Sequence, residues 1–500
     1  MSFNELQEKL KEIAKDVADK QILLKNIELQ LKRQERAITH VTDITNRKLG
    51  NIIEKDNFAS FFKKPYVVHE FGKNQIFVFV PKFIKNFQVG WLYKEDETFY
   101  IYQLDQYSAW LGDVPQELLE KINFQKEIDA TVEGDTLFFS PTDKEKIKKK
   151  FLHLTDFQEN QARITKGHIF DLIVQMIESN CLPFKPKKVS LADLRGAKAK
   201  FEVREYQKPA VDKFMETGAV GIFYPTGAGK SFIAMHLLDT IKGKKLIIVP
   251  GLTLAEQWEY YIDTWIPHVK DEITISTYQG MQYQDQDFVL TIYDECQRLP
   301  ANTFSRLAVI NTKYRIGLSA SPHREDGRES YIFALTGYPI GLNWRDYMKT
   351  VGKTFHPIYV HLVKHGHAKM LKLKQLLDRD KKTFIFCDTI ELGQNISRTL
   401  QIPFIYGETK DRLNEIEQNK VVVISRVGDL GISIPDLERI IEVDFLFGSR
   451  QQELQRTGRL MHSQQKDVRH DIIMTEKEKM EYGKRLWALQ EKGFHLKVVS

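Results

Sequence analysis

The chain is short of the features that mark whole classes of protein. Only three cysteines, Cys181, Cys296 and Cys387, occur in 500 residues. They stand too far apart for a metal-ligand spacing or a disulfide framework, which points to a reducing compartment. No apolar run reaches the ~18 residues that a membrane helix needs. The opening stretch, MSFNELQEKLKEIAKD, lacks the apolar centre of a signal peptide. Neither sign of charge dominates: a formal net charge of +6 permits a nucleic-acid partner without demanding one. No internal repeat of roughly 20–50 residues is visible. These absences predict an intracellular protein with no membrane partner, cytoplasmic or nucleoid-associated, or nuclear in a eukaryote. The length implies about three to four domains, and a 42% hydrophobic content is enough for real cores.

What is there changes character along the chain. No glycine or proline precedes Gly50, and Leu6, Leu10, Ile13, Val17, Leu24, Ile27 and Leu31 follow a 3–4 spacing broken only at Lys20. Residues 1–48 are therefore expected to form an amphipathic helix or coiled coil, packed on its own protein or serving a protein partner or self-association. Residues 49–195 are expected to hold a small accessory α+β domain, a candidate for binding DNA or a partner. Short β-type runs such as NQIFVFVPKF, QVGWLYK, ETFYIYQL and DTLFFSP come first, then a helical stretch over ~143–180. The basic segment LPFKPKKVSLADLRGAKAK reads as a solvated linker or arm. Beyond ~196, apolar runs alternate with helical stretches (AVGIFY, KLIIVP, FVLTIYDE, YRIGLSA), and the rhythm restarts after ~380 (KTFIFCD, FIYGE, KVVVISRV, RIIEVD). Two tandem parallel α/β domains, 196–345 and 346–500, are predicted.

The segment Tyr224-Pro225-Thr226-Gly227-Ala228-Gly229-Lys230-Ser231 lies between a predicted strand and a predicted helix. Backbone N–H groups at such a turn cradle phosphates. Lys230 is placed to reach the β- and γ-phosphates of ATP, and Ser231 to hold Mg²⁺. The usual glycine six residues before the lysine is replaced by Tyr224. Sixty-four residues after Lys230, Asp294 and Glu295 end the apolar strand FVLTIYDE. Asp294 is the second expected Mg²⁺ ligand, and Glu295 the group that positions and deprotonates the attacking water. In the second domain, Gln455, Arg456 and Arg459 share one face of a predicted helix. Arginines aimed across a cleft stabilise phosphoryl-transfer charge; a solvated basic face is the plain alternative for that helix taken alone.

In order and spacing these motifs resemble the XPB group of superfamily 2 helicases, over roughly 260 residues from Arg204 to His462. Arg204-Glu-Tyr-Gln207 resembles the adenine-side Q motif, so the resemblance makes Arg204 and Gln207 nucleotide contacts. IIVPGLTLAEQW and TISTYQGM resemble strand-end motifs on the nucleic-acid face, and Ser319-Ala-Ser321 resembles the motif that couples the two faces. Arg324-Glu325-Asp326 resembles the group's RED motif, implicated in duplex opening. SRVGDLGISIPD and GSRQQELQRTGR resemble the last two motifs, and the first of these puts Asp429 near ATP. The resemblance implies two RecA-like domains and an ATP- and Mg²⁺-dependent 3′–5′ DNA helicase or translocase acting on single-stranded, duplex or forked DNA. Thr253, Thr277, Tyr278, Arg426 and Thr409, each in a loop after a strand, are the candidate DNA contacts. Two departures stand out: Gln297 where the group has histidine, and His462 where it usually has a further arginine. The thumb-like insertion at the head of the second domain is short or missing. The alternatives are an RNA-directed or remodelling ATPase that translocates without unwinding, and a weakly active nucleic-acid-binding scaffold.

Overall fold

The computed structural model describes residues 66–71, 75–82, 89, 91–95, 99–105, 116–121, 128–179, 181–280, 286–299, 310–322, 329–342, 344–410, 412–425, 436–445, 450–461, 463, 465 and 467–499. The helix expected over 1–48 lies outside them. Among the described residues, no helix is long and apolar enough to cross a membrane.

Two small antiparallel sheets come first. β1 (Val67–Phe71), β2 (Gln75–Pro81), β3 (Trp91–Glu95) and β4 (Phe99–Asp105) pair in the order β1-β2-β4-β3. Ile76, Val78 and Val80 alternate into a small core with Tyr102, Leu104 and Leu118, as the two-residue period of a strand requires. β5 (Ala130–Glu133), β6 (Thr136–Phe139), β7 (Leu154–Thr155) and β8 (Gln161–Ile164) form the second sheet, in the order β5-β6-β8-β7. The β7–β8 hairpin interrupts the stretch expected to be helical, leaving helices Lys144–Lys150 and Ile169–Glu178 on either side. Gln161-Ala-Arg-Ile164 alternates exposure with burial, and Asp156 at φ 49 turns the chain just after β7.

Two all-parallel sheets follow, as the strand–helix rhythm predicts. The first contains β9 (Ala219–Ile222), β10 (Lys245–Val249), β11 (Ile273–Thr277), β12 (Phe288–Asp294), β13 (Thr312–Leu318) and β14 (Tyr338–Ile340), ordered β11-β10-β12-β13-β9-β14. The second contains β15 (Ile358–Val363), β16 (Thr383–Phe386), β17 (Phe404–Ile405), β18 (Val421–Ile424), β19 (Arg439–Glu442), β20 (Arg469–Thr475) and β21 (Leu496–Val499), ordered β17-β18-β16-β19-β20-β15-β21. Sheets covered on both faces need strands that are apolar throughout. Lys245–Val249, Thr383–Phe386 and Val421–Ile424 are buried at every position.

The accessory region and the first parallel domain share a core. Leu137, Ile147, Ile173 and Met176 are continuous with Phe223, Leu246, Ile248 and Tyr293 on one face of the first parallel sheet. The basic segment after 181 is a belt on that domain rather than a solvated arm. Lys187 and Val189 donate backbone hydrogen bonds to the carbonyls of Thr217 and Met215. Asp193 takes Lys313 and the Tyr314 hydroxyl, and Arg195 pairs with Glu272. Helix Trp344–Thr350 joins the two parallel domains: Trp344 is wholly buried and donates its indole N–H to the Phe223 carbonyl at 3.2 Å.

Candidate nucleotide site

Parallel topology puts the loops after β9, β10, β11, β12 and β13 along one edge of the first sheet. Ligands of open α/β sheets bind outside such carboxyl ends. The loop after β9 is the phosphate-type loop. Gly227 and Gly229 take φ 76 and φ 79, left-handed values that only glycine adopts without strain. A Cβ on Gly229 would lie 2.6 Å from the Gln207 amide nitrogen. That amide donates to the carbonyls of Ala228 and Gly229, both at 3.2 Å, and the Tyr206 hydroxyl donates to Ala228 at 2.9 Å. Gln207 also accepts from the backbone N–H of Arg204 at 3.0 Å. The Arg204–Gln207 segment therefore clamps the loop from behind. Pro225, Thr226 and Ala228 complete the turn, and Lys230 and Ser231 open the helix Lys230–Thr240. Lys230 Nζ donates to the carbonyls of Tyr224 (2.9 Å) and Pro225 (3.0 Å). Burial lowers its proton affinity, while the charges of Glu295 and Asp294 oppose that shift.

β12 delivers Asp294 and Glu295. Burial and the charge of Glu295 push the Asp294 carboxyl up to about 6, against the Trp258 hydrogen bond and Lys230. Trp258 Nε1 donates to Asp294 Oδ2 at 2.9 Å. Glu295 sits at φ 54, a left-handed value that is uncommon outside glycine and turns its side chain at the strand end. Gln297 Nε2 donates to Glu295 Oε2 at 2.6 Å. From the second domain, Gln455 Nε2 donates to Glu295 Oε1 at 3.2 Å. Both carboxylate oxygens are thus held, one from each domain. A Cβ on Gly458 would stand 3.1 Å from Thr226, so the helix Arg450–Met461 rests on the phosphate loop. Lys353 caps the end of that helix by donating to the Met461 carbonyl at 3.0 Å.

The expected arginine pair divides. Arg456 is wholly buried inside the second domain and does not face the cleft. Its guanidinium donates to Glu442 (2.8 Å) and Asp388 (2.6 Å) and lies over the Phe386 ring. Arg485 joins the same network through Glu453 (2.9 Å) and Asp388 (3.3 Å). Neighbouring arginines hold Glu442 well below the usual carboxylate range, while burial and the Glu442 charge push Glu453 up. Arg459, one helical turn on, is also buried.

The candidate DNA contacts fare unequally. Thr253 is exposed at the start of helix Leu252–Trp265 after β10, and Thr277 ends the adjacent β11, half-buried. Tyr278 is buried, with its hydroxyl donating to the Asp294 carbonyl at 3.0 Å. It braces the acidic pair instead of facing solvent. Ser319 and Ser321 are buried and bonded to each other, Ser319 Oγ donating to the Ser321 carbonyl at 2.8 Å. Thr409 Oγ1 accepts from the Tyr406 backbone at 3.0 Å, closing its own turn. Arg324, Glu325, Asp326, Arg426, Asp429 and His462 lie outside the described residues. Sequence reasoning missed Trp258 and Tyr278 as supports of Asp294; the tryptophan stood in the quoted IIVPGLTLAEQW, and its distance from Asp294 along the chain hid the contact.

The donor set suits a magnesium–nucleotide ligand. A left-handed glycine turn frees backbone N–H groups, a lysine lies beneath it, and a half-buried acidic pair closes the adjacent strand. Two parallel domains meeting over such a loop have the architecture of a two-domain P-loop protein. Residues 200–324 match the model of the type III restriction enzyme res subunit, and residues 344–500 match the ERCC3/RAD25/XPB C-terminal helicase. Rad25 of Halobacterium salinarum is 32% identical over 313 residues, 52% of each chain. The DNA 3′-5′ helicase XPB of Mycobacterium tuberculosis is 24% identical over 405 residues, 70% of each chain. The DNA 3′-5′ translocase XPB2 of Sulfurisphaera tokodaii is 26% identical over 356 residues, 54% of this chain and 81% of that one. The chain spans about half the length of the halophile Rad25 relatives it matches.

The Trp258 contact gives a pH prediction. Asp294 takes up a proton as pH falls through about 6, and a protonated carboxyl is a poor metal ligand. Trp258→Phe removes a donor that favours the carboxylate, so the carboxyl pKa rises. A hydrogen bond to a charged group is worth about 1.5–3 kcal/mol. The acid limb of nucleotide turnover is therefore expected to move up by about one pH unit. Parallel pH profiles of the two proteins at fixed free magnesium check this; superimposable acid limbs would remove the role given to Trp258.

Proposed function

We propose that this chain is an ATP-dependent motor that moves 3′ to 5′ along DNA, or opens it, in repair, recombination or transcription. The observation that carries the reading is the seam between the domains: Gln455 reaches Glu295 while Gly458 lies against Thr226. A hydrolytic carboxylate held from both domains ties its position to opening and closing of the cleft. The relatives' names supply DNA and the 3′–5′ sense.

In this reading Lys230 neutralises the terminal phosphates, Ser231 and Asp294 hold Mg²⁺, and Glu295 takes the proton of the attacking water. When bound, the metal screens the charge of the departing phosphate. Arg204 lies on the adenine side, Gln207 acts there by bracing the phosphate loop at Ala228 and Gly229, and Asp429 adjoins the nucleotide. Arg459 is the arginine finger, whereas Arg456 keeps the helix Arg450–Met461 fixed to its domain. The DNA track runs by Thr253, Thr277, Thr409 and Arg426, held through phosphates so that the protein slides without reading sequence. Arg324, Glu325 and Asp326 form the wedge. The first 48 residues serve a protein partner or self-association. The compartment is the cytoplasm or nucleoid, where three buried free cysteines stay reduced.

An ATPase titration of the full chain with single-stranded, duplex and forked DNA and with RNA tests this. DNA is expected to stimulate turnover and RNA to do so weakly; stimulation by RNA alone would overturn the assignment. Any truncation that probes the accessory region should end before residue 128. A cut at 195 would strip Leu137, Ile147, Ile173 and Met176 from the core they share with Phe223 and Ile248.

A further inference from the structure

A narrow cavity, apolar over most of its lining but carrying several cations, lies at the other end of the first parallel domain, where β9 begins. Arg315 forms its floor. This residue is on β13, opposite Ala219 of β9 and Thr291 of β12. It is only 8% exposed. Its guanidinium stacks 3.6 Å from the centre of the Phe184 ring, and Tyr293 is its hydrogen-bonding neighbour. Nε has no hydrogen-bond partner, and Arg315 has no carboxylate partner among the described residues. A buried guanidinium is almost always matched by an anion, because desolvating it is costly.

The cavity walls sharpen the point. Lys185, Lys187 and Lys313 also line it, and no aspartate or glutamate does. Lys185 is matched by Asp129 at 2.6 Å and Lys313 by Asp193 at 2.5 Å, both outside the cavity lining. Lys187 is exposed and has no carboxylate partner among the described residues. Two cations, Arg315 below and Lys187 at the rim, are therefore left without acids. The backbone around them is built to stay close: a Cβ on Gly218, at φ 68, would lie 2.4 Å from the Lys187 carbonyl. The room open to solvent is ≈ 30 Å³, roughly two or three water positions at ~10–15 Å³ each.

We propose that this cavity binds a phosphate-type oxyanion, with Arg315 as the deep ligand and Lys187 as the rim ligand. Charge and size select the ligand. Two unmatched cations suit a dianion, and planar guanidinium pairs with two oxygens of a tetrahedral oxyanion. So narrow a space admits free phosphate or the terminal group of a phosphomonoester. It excludes a phosphodiester, which carries a sugar on both sides. The site is separate from the phosphate loop, which follows the opposite end of β9. It bears on the proposed motor only through Tyr293, the residue before Asp294 on β12.

Calorimetric titration of the full chain with inorganic phosphate, in a chloride buffer, tests the proposal. The Lys230→Ala background silences the phosphate loop. One saturable site is expected there, lost on adding Arg315→Met and weakened at least about fivefold by Lys187→Ala, since each charge-assisted bond is worth about 1.5–3 kcal/mol. Lys187 is exposed, so its variant carries the test if Arg315→Met does not fold. Glycerol 3-phosphate is expected to compete and an end-blocked oligonucleotide not to. Absence of saturable binding, binding unchanged in both variants, or displacement by the blocked oligonucleotide would each overturn the proposal.

Discussion

Lys230→Ala is expected to reduce nucleotide turnover by at least about 10²–10³-fold, the range for deleting one preorganised electrostatic donor, while the protein stays folded. The two halves of this prediction have separate grounds. Lys230 is the cation beneath the glycine turn, and the nearby acids Asp294 and Glu295 are the charges that offset its burial. Alanine leaves those two carboxylates facing each other without it, so phosphate loses its counter-charge and Asp294 becomes harder to ionise. Folding depends little on the same atom. Among the described residues Nζ hydrogen-bonds to the carbonyls of Tyr224 and Pro225, and each such bond is worth about 1 kcal/mol net. Steady-state turnover together with a thermal melt checks both halves. Near-normal turnover in a folded variant would remove the site.

Arg456→Ala and Arg459→Ala are expected to fail in different ways. Arg456 is the shared partner of Glu442 and Asp388, all three fully buried. Deleting one member of a buried ion pair costs about 3–5 kcal/mol, because the remaining charge is stranded. Arg485, with His470 on Glu442, would be left to face Glu442, Asp388 and Glu453. Arg456→Ala should therefore melt well below the wild-type protein, and its loss of turnover should follow from unfolding of the second domain. Arg459→Ala should lose about 10³-fold or more in turnover while still folded, the scale of an arginine finger. Melts and turnover measured on both variants decide it. A wild-type melt for Arg456→Ala, or normal turnover for Arg459→Ala, would reverse the assignment of the two arginines.

The parallel domains were legible because most of their strands are short, largely apolar runs separated by helical stretches. Buried strands of this kind need no partner in sequence to be recognised. β14, β15, β20 and β21 were harder. Tyr338–Ile340 is only three residues long, and Arg469–Thr475 opens with two charged or titratable residues, Arg469 and His470, and carries Asp471. Asp471 is tolerated inside because His361 and Arg469 bond to it, a match between strands that no local pattern reveals. The β7–β8 hairpin escaped notice for a related reason: four alternating residues between two helices look like helix continuing.

The sequence by itself determined the chemistry of each loop. A glycine turn ending in Lys230-Ser231, an acidic pair closing a strand, and a Gln/Arg helix are recognisable by backbone freedom, charge and period, all local properties. Which of those groups face one another is not local. Arg456 and Arg459 are equivalent on a helical wheel to within one turn. Only the packing of helix Arg450–Met461 against Glu442 and Asp388 made the first a buried partner of both acids. In the same way, only the fold brought Trp258 and Tyr278 to Asp294, closed Glu295 between Gln297 and Gln455, and buried Arg315 without an acid among the described residues. A side chain's type is written in the chain, but its dielectric surroundings and partners come from residues tens to hundreds of positions away.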